Sequence, residues 1–267
     1  MEPREPKAFF EDRGYLVVDD LLSADEIEQS QREIQRLHRL AADLEAREDD
    51  PRLGHFQREP FAKDENSNGV PVLRKIENTR QLSPHFADLS AHPRLVATVQ
   101  NLLGDDLLLF RSTLMLKPAF HGSAHALHQD SAYWPMEPPT LITVSIALDD
   151  ATPANGCIKI IPCSHHWGLQ DWGHIAQDQD APLTTRDDID QSAPVDVPLR
   201  AGSAVLFHSL MVHGSGPNQT DRSRNTALYA YFSPHVRYVP RAGAAREKAF
   251  PVVAGLDGAR EHTLVAS

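Results

Sequence analysis

Up to Gly104 this chain is punctuated like a helical protein, and from Asp105 onward like a β protein. Ser23-Ala-Asp-Glu26 carries the residues of a capping box, in which the Ser23 hydroxyl accepts from a backbone N–H and Glu26 reaches back. Apolar Ile27, Ile34, Leu37, Ala41 and Leu44 follow as a helical stripe. Pro93 in a first turn, then Leu95, Val96, Val99, Leu102 and Leu103, and a stop at Gly104 predict a second helix. A β-branched and aromatic run over 14–19 predicts a short strand ahead of both. Downstream, segments 107–117, 141–148, 156–161, 203–208 and 226–232 read as strands. Turn chemistry separates them at Pro138-Pro139, Pro153-Ala-Asn-Gly156, Ala201-Gly202 and Gly214-Ser-Gly-Pro217. Short strands with turn-rich connections predict a sandwich or barrel. With no linker between the halves, the expectation is one domain over 1–267, mainly β with flanking helices: helical elements over about 20–104, a β core over about 105–235 and a tail over 240–267.

Several function classes are disfavoured by composition. Lys and Arg number 26 against 37 Asp and Glu, a formal net charge of −11, and no basic cluster stands out, so nucleic acid is not an expected partner. No apolar run approaches the ~20 residues of a membrane helix, and residues 1–6 offer no apolar signal region. Cys157 and Cys163 are too few for a disulfide framework and read as free thiols, which fits a reducing, cytoplasmic setting. The polar stretch 47–68 reads as a loop. Asp178, Asp180, Asp187, Asp188 and Asp190, set against Arg186 alone, read as a solvated insertion. The Ala/Gly-rich tail after Pro240 reads as frayed or as a lid ordered by substrate.

The chemistry concentrates in His128-Gln129-Asp130. Residues i and i+2 of an extended segment point to one side, so His128 and Asp130 can face one point. An imidazole and a carboxylate suit a divalent transition ion, although such pairs are common without one. His213, at the end of a β run and the start of a Gly-rich turn, is the candidate third ligand. Two histidines and a carboxylate form a facial triad that leaves positions open on Fe(II). Arg224 follows eleven residues later, and an Arg beside such a metal can grip the far carboxylate of a chelating keto acid. Rival readings stand beside these. His121 and His125 are nearby alternative ligands, and Arg222 competes with Arg224. His208 and His165-His166 read as structural, and Asn218-Gln-Thr220 as a silent glycosylation sequon. Tyr133, Trp134, Trp167 and Trp172 read either as packing or as an aromatic wall for an apolar substrate.

Several ordered motifs together resemble the phytanoyl-CoA dioxygenase family of Fe(II)/2-oxoglutarate-dependent oxygenases, over roughly residues 8–240. Phe9-Phe-Glu-Asp-Arg-Gly-Tyr-Leu-Val-Val and Leu21-Leu-Ser-Ala-Asp-Glu-Ile resemble its opening elements, Pro93-Arg-Leu to Leu103-Gly104 the helix before its β core, and Leu116-Lys-Pro-Ala the strand leading to its metal. His128-Gln-Asp matches its metal dyad. Asn155-Gly-Cys-Ile-Lys-Ile-Ile-Pro-Cys-Ser-His165 resembles its Asn-Gly…Pro-Gly-Ser-His segment, and His213-Gly-Ser-Gly-Pro-Asn…Arg224 its last-ligand and co-substrate block. The resemblance implies a double-stranded β-helix, the jelly-roll core of cupin-like proteins. It implies Fe(II) on His128, Asp130 and His213, 2-oxoglutarate on Arg224 with Ser215 beside it, O2 as oxidant, and Lys117 and Gln129 near the co-substrate or substrate. Two departures are visible: Ile146 stands where an aromatic residue is frequent, and Cys163 where Gly is usual. Tyr133, Trp134, Ile146 and Trp172 are the substrate-side candidates.

Family relatives that halogenate lack the metal carboxylate. Asp130 therefore implies hydroxylation, or a desaturation, epoxidation or ring-forming variant, with release of succinate and CO2. The substrate implied is a small molecule, a secondary metabolite in preference to an acyl-CoA, because no basic patch for a nucleotide diphosphate stands out. The assembly expected is a monomer or homodimer. A metal-binding jelly-roll without catalysis, and a cupin that does not use 2-oxoglutarate, are the rival classes.

Overall fold

The Ser23 capping box closes as expected: Ser23 Oγ accepts from the Glu26 N–H at 3.4 Å, and Glu26 Oε2 accepts from the Ser23 N–H at 2.8 Å. It opens the longest helix of a computed structural model that describes residues 5–47, 49–62, 65–67, 69–173, 175, 182–190 and 192–266. The main helices are α1 (Pro6–Arg13), α2 (Ala24–Glu45), α3 (Pro84–Leu89) and α4 (Pro93–Leu103). The strands that build the core are β1 (Tyr15–Val18), β2 (Phe56–Arg58), β3 (Leu73–Glu77), β4 (Leu107–Lys117), β5 (His125–His128), β6 (Ile142–Ala147), β7 (Ile158–Ile160), β8 (Val195–Val197), β9 (Ala204–His208), β10 (His213–Ser215), β11 (Arg224–Phe232), β12 (Glu247–Ala254) and β13 (Glu261–Val265).

A large antiparallel sheet runs β1–β9–β6–β11–β4–β12–β13, with β3 and then β2 branching from β4. A small sheet runs β8–β7–β10–β5. From β4 to β11 the chain crosses between the sheets repeatedly, which makes the core the jelly-roll expected.

Alternation along the strands sorts the large sheet into two faces. Ile142, Val144 and Ile146 of β6 and Ala227, Tyr229 and Tyr231 of β11 point outward, against Ile34, Leu37 and Leu44 of α2 and Leu95 and Val99 of α4. Each such aliphatic side chain stabilises the fold by about 1.5–3 kcal/mol when fully buried. The buried tyrosine hydroxyls find partners in the helical layer: Tyr229 donates to Phe86 O at 3.0 Å and Tyr231 to Ser90 O at 2.8 Å.

The opposite face looks into the sandwich. Its residues line up in rungs: Lys117 beside Arg224, Met115–Thr226–Ala147, and Thr113–Leu228–Ser145–Val205. Ala147, Ile160, Val205, Phe207 and Met211 fill part of the space between the sheets. The rest stays open as a cavity of about 270 Å³.

Three expectations are corrected. The stretch 47–68 is not simply a loop, because Pro51–His55 forms a 3-10 turn and β2 pairs with β3. The tail is neither frayed nor an open lid: β12 pairs with β13 and with β4, and Phe250 is buried among Leu108, Phe232 and Tyr238. The acidic insertion is partly packed, since Ile189 joins Leu127, Ile161 and Val212, and Arg186 pairs with Asp188 at 2.5 Å. Asp178 and Asp180 lie outside the described residues. Among the described residues, no helix is long and apolar enough to cross a membrane.

Candidate active site

His213 and His128 face each other in register across β10 and β5, their rings 4.2 Å apart. Each Nδ1 lies 2.9 Å from a backbone carbonyl two residues earlier, Ala126 O for His128 and Met211 O for His213. Each Nδ1–H therefore donates to the backbone, and each Nε2 lone pair is left to a ligand. Asp130 follows β5 in a single 3-10 turn, Asp130–Ala132. Its Oδ1 stands 3.8 Å from His128 Nε2 and 3.9 Å from His213 Nε2. Those gaps are too long for hydrogen bonds, yet one ion with bonds of about 2.1 Å spans them. Thr143 Oγ1 donates to the other oxygen, Oδ2, at 2.6 Å. All three ligands are buried, with ligand atoms within 4.8 Å of one another.

The protonation states suit a metal. Burial pushes Asp130 upward, but His213, His128 and Thr143 outweigh it and hold the carboxyl below its ordinary range. Burial, followed by the neighbouring His128, lowers His213 to about 4. At neutral pH the site therefore offers an anionic carboxylate and a neutral His213. Two imidazoles and one carboxylate gathered at one point fit Fe(II) with open coordination positions.

Arg224 opens β11 directly opposite Lys117 and is only 6% exposed. Its Nη2 donates to Gly156 O at 2.6 Å and its Nη1 to Thr226 Oγ1 at 3.1 Å, while Nε is buried without a partner among the described residues. Burial lowers the guanidinium to about 10, so it remains charged at neutral pH. Among the described residues no carboxylate contacts this guanidinium; a buried cation left so is costly unless a ligand supplies the anion, and a dicarboxylic acid chelating the nearby metal would do so. The Asn155-Gly156 turn aims the Gly156 carbonyl at this guanidinium. Gly156 has φ +77°, and a Cβ there would lie 2.4 Å from Gly216 O, so only glycine fits. Asn155 locks the turn by accepting from the Thr152 N–H at 2.7 Å and donating to Asp150 O at 2.8 Å.

Lys117 is buried, with Nζ donating to Ser123 O at 2.5 Å and Gly216 O at 2.6 Å; burial, then Arg224, push its pKa well below the ordinary value. Ser215 is buried on β10 and lines the cavity. Asn218 ties the segment between His213 and Arg224 together, donating to Lys117 O, Pro118 O and Arg222 O. Its amide is consumed inside the fold, which leaves the sequon with no accessible nitrogen.

Tyr133 and Trp134 line the cavity, Trp134 backed by Phe110 at 4.8 Å between ring centroids. Three other expected residues do not come to the site. Gln129 points away: its amide donates to Gly168 O and Leu210 O and accepts from Gln170 N and Trp172 Nε1, pinning the 168–172 loop. Trp172 is held there, stacked under the Arg186 guanidinium at 4.6 Å. Ile146 lies on the helix-covered face of β6, one residue out of phase, and its neighbour Ser145 lines the cavity instead.

Thr143 and Ser145 went unnoticed in the sequence, although polar residues at alternate positions of Ile142–Ala147 mark one face of a buried strand. Arg74 was also missed as a cavity residue, and His125, read as an alternative ligand, lines the cavity beside it. His125 Nδ1 sits 2.5 Å from Arg74 Nη2 and must accept, since a guanidinium only donates; it lies outside the metal cluster. His121 faces Glu65 at 3.5 Å, His208 Nδ1 accepts from the Leu210 N–H at 3.0 Å, Arg222 is exposed, and Trp167 is 45% exposed.

The family model for phytanoyl-CoA dioxygenase (PhyH) matches residues 10–226. The chain belongs to the phytanoyl-CoA dioxygenase family. The peroxisomal phytanoyl-CoA dioxygenase of Rattus norvegicus is 28% identical over 259 residues, which cover 91% of this chain and 72% of that one. Among solved structures, the apo form of the non-heme monooxygenase ThoJ superposes with a TM-score of 0.75 at 26% identity, covering 98% of this chain and 89% of that one. EctD from S. alaskensis, crystallised with 2-oxoglutarate and 5-hydroxyectoine, gives a TM-score of 0.68 at 28% identity, with 87% and 76% coverage. Fold, family and triad agree with the enzyme class, the iron and the 2-oxoglutarate expected from the sequence. The Cys163 departure from the PhyH pattern keeps the glycine shape, because Cys163 holds a left-handed φ of +65°.

Proposed function

We propose that this chain is an Fe(II)/2-oxoglutarate-dependent dioxygenase that hydroxylates a C–H bond of a small organic substrate, a secondary metabolite, with release of succinate and CO2. The observation that carries this reading is the convergence, in one cavity, of the His128/Asp130/His213 cluster with the buried guanidinium of Arg224, whose Nε has no partner among the described residues. When bound, iron and 2-oxoglutarate supply the oxidising chemistry with O2. His128 and His213, oriented by their backbone acceptors, and Asp130, oriented by Thr143, would hold the metal on one face. Arg224 would bind the distal carboxylate as a fork, with Ser215 beside it and Lys117 behind. Tyr133 and Trp134 would exclude water from the substrate side. The carboxylate ligand Asp130 favours hydroxylation over halogenation. EctD, crystallised with Fe in one structure and with 2-oxoglutarate in another, supports the same cofactor set here. The free thiols Cys157 and Cys163 support a cytoplasmic setting.

Thermal unfolding with Mn(II), 2-oxoglutarate, both or neither tests the reading. Mass action stabilises the fold by about 2.7 kcal/mol at a hundredfold excess over Kd, so the two together should raise the melting temperature beyond Mn(II) alone. Asp130→Ala should abolish the shift and, with a turned-over substrate, succinate formation. Stabilisation by metal but never by 2-oxoglutarate would favour a cupin of other chemistry.

A further inference from the structure

The cavity wall carries a second set of charges, away from the Arg224 end. β3 pairs with β4 so that Lys75 faces Met115 and Glu77 faces Thr113. Lys75 Nζ and Arg111 Nη2 both reach Glu77 Oε1, at 2.5 and 2.7 Å, and Arg111 Nε donates to Thr113 Oγ1 at 3.0 Å. Two cations thus share one carboxylate, and the wall of the cavity includes Lys75 and Arg111 but not Glu77. Among the described lining residues the cations are Arg74, Lys75, Arg111, Lys117 and Arg224, and the acid is Asp130. This is a cationic interior in a chain of net charge −11.

Iron, Asp130, 2-oxoglutarate and Arg224 together would sum to zero, and Glu59 offsets Arg74, so the charge left over is that of Lys75 and Arg111, which share Glu77. Distance separates the two groups as well. Glu77 pairs with Thr113, four residues along β4 from Lys117, which is about 13 Å. Across the sheet, Arg111 and Thr143 each pair with Ala230 from either side. Arg111 therefore stands two strand spacings, about 10 Å, from the residue that orients the metal ligand Asp130.

We propose that Lys75 and Arg111 bind a carboxylate of the substrate, so that the substrates of this enzyme are small organic acids oxidised at a carbon remote from the acid group. This inference rests on the oxygenase reading for the oxidised carbon, but the acid site stands on its own geometry. The planar Arg111 fork matches a carboxylate, and Lys75 adds a point charge. The carboxylate neutralises the charge that Glu77 leaves over.

Matched acid and amide probes test it: phenylacetate against phenylacetamide, 4-phenylbutyrate against its amide, and octanoate against octanamide. Each is titrated by calorimetry into the full chain holding Mn(II) and saturating 2-oxoglutarate, and again into the metal-free chain. The acids should bind on the order of tenfold tighter than the amides. Lys75→Gln and Arg111→Gln should each erase most of that preference while 2-oxoglutarate affinity stays unchanged. Glu77→Gln, which removes the competing carboxylate, should tighten acid binding, an outcome that a folding defect does not produce. Equal binding of acids and amides by the wild-type chain overturns the inference, and so does an acid preference that survives both cation variants. Either result, obtained with metal and 2-oxoglutarate still stabilising the fold, removes the acid site and leaves the oxygenase reading standing. An acid preference lost in the cation variants but seen without any metal or 2-oxoglutarate effect upholds the acid site and sinks the oxygenase.

Discussion

Thr143 donates to Oδ2 of Asp130 at 2.6 Å and so fixes which carboxylate oxygen turns toward the two histidines. The free oxygen, Oδ1, is the one 3.8 and 3.9 Å from their Nε2 atoms. Thr143→Val keeps the shape of the strand and removes the donor. Metal affinity should fall about 10- to 100-fold, the usual effect of losing a group that orients a ligand. Mn(II) calorimetry checks this, and unchanged affinity would remove Thr143 from the site.

Arg224→Lys keeps a positive charge and loses the fork. Its bonds to Gly156 O and Thr226 Oγ1 cannot both be reproduced by one ammonium. Affinity for 2-oxoglutarate should drop at least about tenfold, or about 1.4 kcal/mol, with metal affinity untouched. A co-substrate titration at fixed Mn(II) reads both quantities.

The two faces of β6 predict opposite phenotypes for adjacent residues. Ile146→Ala should cost about 2–5 kcal/mol in urea unfolding and leave metal binding intact, because Ile146 packs under the helices. Ser145→Leu should leave stability near the wild-type value and block turnover, because Ser145 faces the cavity. Reversed results would mean that the strand is assigned to the wrong register.

Acid should weaken the metal-free protein through its buried histidines. Burial, then His165 and His166, lower His208 to about 4, against an ordinary value of 6.5 when unfolded. The unfolded chain therefore binds more protons between those values. The contribution of His208 is intact above about pH 6.5, is lost as pH falls toward 4, and changes no further below that, about 3 kcal/mol in all. His208→Asn can keep the bond from the Leu210 N–H and should flatten the slope. Urea titrations at pH 7, 5.5 and 4 measure it, and a slope equal to wild type would contradict it.

How much of this was legible follows from where each signal sits along the chain. His128 and Asp130 are two residues apart with Gln129 extended between them, so local alternation points them the same way. Ser23 and Glu26 mark a helix start through local bonds, and Pro93 with Gly104 mark the ends of another through local backbone geometry. Gln129 sits between two ligands, and the alternation that unites them turns it outward. The cationic wall could not be read. Lys75 and Glu77 flank Ile76 as they would on a solvated strand, and periodicity separates faces without saying which face meets water. Arg111 joins them only through the β3–β4 pairing, so the basic cluster that seemed absent from the sequence forms in space. The β12–β13 hairpin was missed for a related reason: with Lys248, Pro251 and Glu261 in an edge pair, it resembles a polar tail.

The central claim is that three side chains hold one iron and a fourth grips its co-substrate. Anaerobic calorimetry of Fe(II), followed by 2-oxoglutarate, reads this directly in the wild-type, Asp130→Ala and Arg224→Met chains. The predicted result is one iron and one 2-oxoglutarate per wild-type chain, no tight iron in Asp130→Ala, and iron without tight 2-oxoglutarate in Arg224→Met. Iron bound equally well by Asp130→Ala, or 2-oxoglutarate bound equally well by Arg224→Met, would contradict it.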